Sequence, residues 1–304
     1  MKKIGLIGHP VVDEIHTFDG NIIRGYGGVY YNALILSYLL NDKAKIYLAT
    51  KAGEDIYEDI KTKVDKLGNV NTDNLIKVHQ KNNRVKLVYS DRFKRTEFSK
   101  QILPYIEPEE IDFSIGFDIL LINFVSGREL KYNSFVKIRE IYKGLIFLDI
   151  HSLLMGFGKK GERILKKRGD WNKWMKLADI VQMNQTEGES IKGKSFKSDK
   201  EIVNFAKELI KGNTKISIIT LGERGSIIAY LKDDEICWDR IKSYIYEEST
   251  HATGCGDAFS SGFVLNYLET QDPVKASIFG SKVGGFKASI KSSEQLEEFK
   301  TKVF

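Results

Sequence analysis

Short apolar runs of strand character alternate along this 304-residue chain with segments of helical periodicity, and that rhythm limits its architecture more than any other feature. Strand-like runs fall at Ile4 to Gly8, Lys45 to Ala49, Ile119 to Phe124, Leu145 to Ile150, Ile180 to Met183 and Ile216 to Leu221. Between them Tyr31, Leu34, Ile35, Tyr38 and Leu39 mark one helical face over Val29 to Leu40, and Ile56, Ile60, Val64 and Leu67 mark another over Asp55 to Leu67. A third helix is expected over Asp199 to Ile210. Parallel neighbours need a long crossover, usually a helix, so this alternation predicts an α/β fold: a central, mainly parallel sheet flanked by helices in three layers.

Two segments break the rhythm. Val85, Leu87 and Tyr89 alternate with Arg84, Lys86 and Ser90 ahead of a polar turn at Asp91 to Lys94, and Glu14 to Arg24 is polar and flanked by glycine. Both read as strands outside the main sheet, a small β lid inserted at about residues 13–26 and 82–103, or else an edge hairpin that closes the core. With four prolines and no low-complexity linker, residues 1–304 read as one domain.

The net charge of +6 is spread among mixed acids and bases with no basic block, which argues against nucleic-acid binding and leaves room for an anionic ligand. Cys237 and Cys255 form no metal-ligand spacing and suit a reducing compartment. The longest apolar stretch, Ile119 to Val125, is short and broken by Asn123, so no membrane span is expected and the protein is placed in the cytoplasm.

Chemistry concentrates at Ala252-Thr253-Gly254-Cys255-Gly256-Asp257-Ala258-Phe259, where glycines precede an aspartate that opens a helical stripe of Phe259, Phe263 and Tyr267. The first amides of a helix lack internal acceptors, and with the helix dipole they form an anion site where glycine lets a ligand approach. Asp257 beside such a cradle can take a proton from an alcohol while charge on a phosphoryl group rests on the amides of Gly254, Cys255 and Gly256. Taken alone, the segment reads equally well as a helix-start aspartate following turn glycines. Gly188 to Ser195 also matches Gly-x-x-x-x-Gly-Lys-Ser, but Gly188 to Lys192 reads as a short helix ending at Gly193, and Ser198 or Asp199 caps the next helix. No Gly-x-Gly-x-x-Gly opens the first helix, which disfavours a dinucleotide-binding dehydrogenase.

In order along the chain, these pieces resemble the ribokinase (PfkB) family of carbohydrate kinases. Gly8 followed by Asp13 resembles a first strand ending in a carboxylate that binds sugar hydroxyls, and Gly27-Gly28 with Asn32 resembles a Gly-Gly-x-x-x-Asn signature. The resemblance implies that Asp13, Gly27, Gly28 and Asn32 form the acceptor pocket. Asn184 to Glu187 is similar to an Asn-x-x-Glu motif, implying that Asn184 and Glu187 serve the nucleotide phosphates and that Glu187 holds Mg2+ through water. Thr220 to Ser226 resembles a Thr-x-Gly-x-x-Gly segment, implying that Thr220, Gly222 and Gly225, with Thr253, border ATP. The pattern departs in places. His251 stands where the family has an aspartate that helps build a monovalent-cation site, which leaves potassium activation open, and Cys255 replaces a smaller residue. Asp149 and His151 fall on an Asp-x-Asn-x-Arg segment whose arginine is Leu153 here, so that phosphate contact is absent or comes from elsewhere, with Arg163 one source.

The resemblance therefore implies a ribokinase-like, Rossmann-like fold and an ATP- and Mg2+-dependent transfer of phosphate to a hydroxyl of a small sugar or sugar-like alcohol, with Asp257 as general base. Two other readings stand beside it. Phe18, Tyr26, Phe93 and Phe98 would suit stacking on a nucleoside acceptor, and His251 with Leu153 would suit a relative that binds without turnover. An exposed lid edge could pair two copies into a homodimer.

Overall fold

The computed structural model describes residues 1–40, 44–91, 94–99, 102–165, 169–246 and 253–290. The chain opens with β1 (Lys2–Ile7), β2 (Pro10–His16), β3 (Ile22–Gly28), α1 (Val29–Leu40), β4 (Ala44–Gly53), α2 (Tyr57–Asp65), β5 (Val70–Val78), β6 (Arg84–Tyr89) and β7 (Arg95–Ser99). It continues through β8 (Ile119–Asn123), α3 (Tyr132–Ile141), β9 (Leu145–Asp149), β10 (Met155–Phe157), β11 (Arg163–Leu165), α4 (Trp171–Met175), β12 (Ile180–Asn184), α5 (Gln185–Lys192) and α6 (Asp199–Glu208). It closes with β13 (Ile216–Thr220), β14 (Ser226–Lys232), β15 (Glu235–Ile241), α7 (Cys255–Thr270) and α8 (Pro273–Ser289).

Nine strands form the main sheet in the order β15-β14-β13-β12-β9-β8-β1-β4-β5. From β13 to β5 all neighbours are parallel, and β14 and β15 add an antiparallel edge. Each parallel strand needs helices on both faces, which is why β8 reads Ile-Leu-Leu-Ile-Asn and is buried along its whole length. Two apolar clusters result, one on each face: Phe147 and Phe263 lie in one, Phe124, Phe135 and Trp174 in the other. The order reverses between β1 and β8, and in open sheets of this kind ligands collect at the carboxyl ends of the strands beside such a reversal.

Four strands form the separate small sheet, in the order β3-β2-β6-β7. Its pairs are antiparallel except β2 with β6, which runs parallel. Val11, Ile15, Val85, Leu87 and Tyr89 make its own apolar cluster, on the side the alternation assigned inward. The β10–β11 hairpin joins it through a bridge between Phe98 and Glu162.

α7 and α8 form an antiparallel hairpin packed closely at Gly262. A Cβ on Gly262 would lie 2.7 Å from Val283 Cγ2, so only hydrogen fits there. Asp272 caps α8 by accepting from the amides of Val274 and Lys275 at 2.9 and 3.0 Å. The close fit sets the end of α8 beside the start of α7.

Residues 185–192 are helical and Gly193, at φ +71°, terminates that helix, while Ser198 caps α6. The Gly-Lys-Ser at 193–195 thus follows a helix end, whereas a phosphate-binding loop of that pattern must run into a helix start. The helix expected over Asp55 to Leu67 is shorter, at Tyr57–Asp65, and Asp13 lies within β2 of the lid sheet, not at the end of the first strand. His251 and Phe93 lie outside the described residues.

Candidate active site

Gly254 precedes α7 with φ +79°, a left-handed conformation that costs glycine nothing and strains other residues. This turn exposes the first amides of α7. Ala258 N–H donates to the Gly254 carbonyl at 2.9 Å, and no described residue accepts from the amides of Gly254, Cys255 or Gly256. Burial pushes the Cys255 thiol up, which keeps it neutral and unreactive beside them.

Side-chain amides from three elements fix this helix start. Asn123, at the end of β8, donates through Nδ2 to Asp257 Oδ1 and to Asn32 Oδ1, both at 2.7 Å. Asn32 Nδ2 in turn donates to the Asp257 carbonyl at 3.0 Å and to Ser261 Oγ at 3.1 Å. Gln182 Nε2, on β12, reaches the Gly256 carbonyl at 3.2 Å and Asp149 Oδ2 at 3.0 Å. Asn32 is fully buried with both ends of its amide occupied, so the acceptor-pocket role expected of it gives way to that of a strut under Asp257. Asn123 and Gln182 had a visible signal: each is a polar residue interrupting an apolar strand.

Several acids act on one another across the cleft. Burial raises Asp257 above the usual carboxylate range, against the opposing pull of His151, the Asn123 hydrogen bond, Lys287 and Arg95. Asp149 is pushed up to about 8, first by burial and then by the charges of Asp257 and Glu187, with His151 opposing. Asp13 also rises to about 8, through burial and the charges of Glu97 and Asp257. His151 goes the other way from what burial alone dictates: its Nδ1 lies 3.3 Å from Glu187 Oε1, and that contact holds the imidazole charged up to about 9.

Asp13 lies over Gly27, where a Cβ would collide with its Oδ2, and among the described residues nothing donates a hydrogen bond to it. Gly28 ends β3 and leads directly into α1. The lid reaches the helix start itself: Tyr89 Oη and Thr253 Oγ1 are 2.9 Å apart, and Arg95 Nη1 donates to them at 3.0 and 3.3 Å. Of the aromatic residues weighed for stacking, Tyr26 packs edge-on against Tyr30 and donates to Asp59 at 2.6 Å, and Phe18 is exposed.

On the other side, Asn184 and Thr220 are paired residues at the carboxyl ends of β12 and β13. Asn184 caps α5, and Glu187 accepts from the Asn184 amide at 2.8 Å and from its Nδ2 at 2.6 Å. Gly222 and Gly225 bracket the turn after Thr220, and Arg224 ties that turn to Gln185 at the start of α5. Leu153 is a core residue. Arg163 donates to the Ser126 carbonyl at 3.0 Å and lies over the Phe157 ring, on the lid side of the cleft. Among the described residues no three His, Cys, Asp or Glu side chains come close enough to ligate a metal together.

Known proteins share this fold. The ribokinase of Giardia lamblia superposes with a TM-score of 0.77 at 16% identity, covering 99% of this chain and 97% of that one. The chain has the ribokinase fold. A pyrophosphate-dependent kinase in the ribokinase family has the same fold, with a TM-score of 0.72 at 20% identity over 95% of both chains. Residues 160–297 match the pfkB family carbohydrate kinase model, which bears out the resemblance over the segment holding β12, β13 and α7. Ribokinase of Staphylococcus aureus (strain COL) is 27% identical over 135 residues, 42% of this chain, and the match spans 43% of that protein's length. Among the described residues, no helix of this ribokinase fold is long and apolar enough to cross a membrane.

Proposed function

We propose that this protein transfers a phosphoryl group from ATP to a hydroxyl of a small sugar or sugar-like alcohol. The reading rests on one observation: the amides of residues 254–256, which no described residue accepts from, open beside a carboxylate that Asn123 holds in place and burial makes more basic. In the step, the Asp257 carboxylate takes the hydroxyl proton and the alcohol oxygen bonds to the terminal phosphorus. The bond to the bridging oxygen breaks, and its electron pair leaves with ADP. A base whose pKa is raised by burial takes that proton more readily than an ordinary aspartate. Charge on the transferred group falls on the amides, a preformed donor set that needs no rearrangement.

Asp13 supports acceptor binding, because a buried carboxylate near pKa 8 retains its proton at neutral pH and can both donate to and accept from sugar hydroxyls. Thr220, Gly222 and Gly225, with Asn184, Glu187 and Thr253, are the residues we assign to the donor. Mg2+ held there would neutralise phosphate charge, with Glu187 and Asp149 orienting its waters. The lid excludes water through Tyr89 and Arg95. We place the enzyme in the cytoplasm as one domain, and Phe18, Ile22 and Val88, exposed on the lid, support its pairing into a homodimer.

Purified protein offered sugars, polyols and nucleosides with Mg-ATP should phosphorylate one acceptor class, and Asp257→Asn should lower kcat by about 10^3-fold. Turnover in Asp257→Asn within about tenfold of the wild type refutes the assignment of the base.

A further inference from the structure

Lys287 lies in the last turn of α8 and is 2% exposed, yet its ammonium has no hydrogen bond or ion pair to any described residue. Among the described residues it lies over the face of the Tyr31 ring, 5.5 Å from Nζ to the centroid. A buried ammonium is normally paired, because removing it from water is costly. This one points at the start of α7: a Cβ on Gly254 would sit 3.4 Å from Lys287 Cε. The groups that face it agree, since burial lowers its pKa and the nearby Cys255, Asp257 and Asp13 oppose that shift. The α8 dipole offers a weak attraction for a cation in the last turn, but a lysine serving only the dipole does so from solvent.

We propose that Lys287 is a catalytic residue, its ammonium binding the phosphoryl group held by the amides of residues 254–256. It supplies the full positive charge that the amides lack. The α7–α8 seam, closed by Gly262, keeps it there with no hydrogen-bond partner among the described residues. This assignment rests on the phosphotransferase reading of the same site.

The test is Lys287→Met, which fills the same space without charge, together with Lys287→Ala, which leaves a slot for an added amine. We expect kcat to fall by about 10^2–10^3-fold in both with the acceptor KM unchanged, and added ethylammonium to restore Lys287→Ala but not Lys287→Met. Wild-type kcat in a folded Lys287→Met overturns the proposal. If the wild type phosphorylates no acceptor at all, the kinase reading falls, and Lys287 is judged by calorimetric binding of inorganic pyrophosphate. Binding by the wild type that weakens at least about tenfold in Lys287→Met supports the site, for one lost charge-assisted contact. Equal binding by the two proteins, or none by either, overturns it.

Discussion

Replacing Asp13 by asparagine should make the protein more stable near neutral pH, although the residue lies in the candidate site. The side chain is 6% exposed, and burial with the charges of Glu97 and Asp257 lifts it from the ordinary 3.8 to about 8. A group whose folded pKa is raised contributes stability fully present below the unfolded value and lost as pH rises through the folded one. For Asp13 that window runs from 3.8 to about 8. At about pH 7 the folded chain retains a proton that the unfolded chain has released, roughly three pH units at ~1.4 kcal/mol each, an upper bound of about 4 kcal/mol. An effective dielectric well above that of a dry interior reduces this to about 1–2 kcal/mol. Asparagine has the same shape and no such cost. Urea denaturation of both proteins at about pH 5 and about pH 8 measures it, and the advantage of Asp13→Asn should grow with pH. A difference that is constant with pH, or that shrinks as pH rises, refutes the reasoning.

The other predictions concern the supports of the helix start and the lid. Asn123→Ala removes the hydrogen bond that lowers the Asp257 pKa, so the acidic limb of the kcat profile should move to higher pH, read from initial rates across a pH series. Gly254→Ala forces alanine to φ +79° and should cost about 1–2 kcal/mol in denaturant unfolding, with a loss of kcat. Tyr89→Phe removes the hydroxyl shared with Thr253 and Arg95; it should raise substrate KM several-fold and cost about 1 kcal/mol of stability, by steady-state kinetics and thermal melting.

The sheet was legible where burial imposes a period. The helix expected at Val29 to Leu40 has those bounds in the structure, and the helix ending at Gly193 follows from its cap chemistry. β5 and β15 were not legible, because each is an edge strand with one neighbour: half of β15 faces solvent and its sequence lacks a continuous apolar run. Asn32 shows the limit of motif reading. Its spacing from Gly27-Gly28 is local information, whereas the atoms that use up its amide come from β8 and α7, more than 90 residues away. Lys287 looks like any helical lysine in sequence, and only the packing of α8 on α7 buries it away from water and, among the described residues, from any hydrogen-bond partner.

The lid's contact with Thr253 has a consequence for engineering. Because β2 supplies Asp13 and, through its parallel pairing with β6, sits two strands from Arg95, one four-stranded sheet carries both the carboxylate we assign to the acceptor and the contact with Thr253 that we assign to the donor end. Transplanting that sheet between relatives to change substrate would therefore also reset the timing of the catalytic cycle, and a graft that kept Asp13 but lost Tyr89 would recruit its new guest to a door that no longer locks.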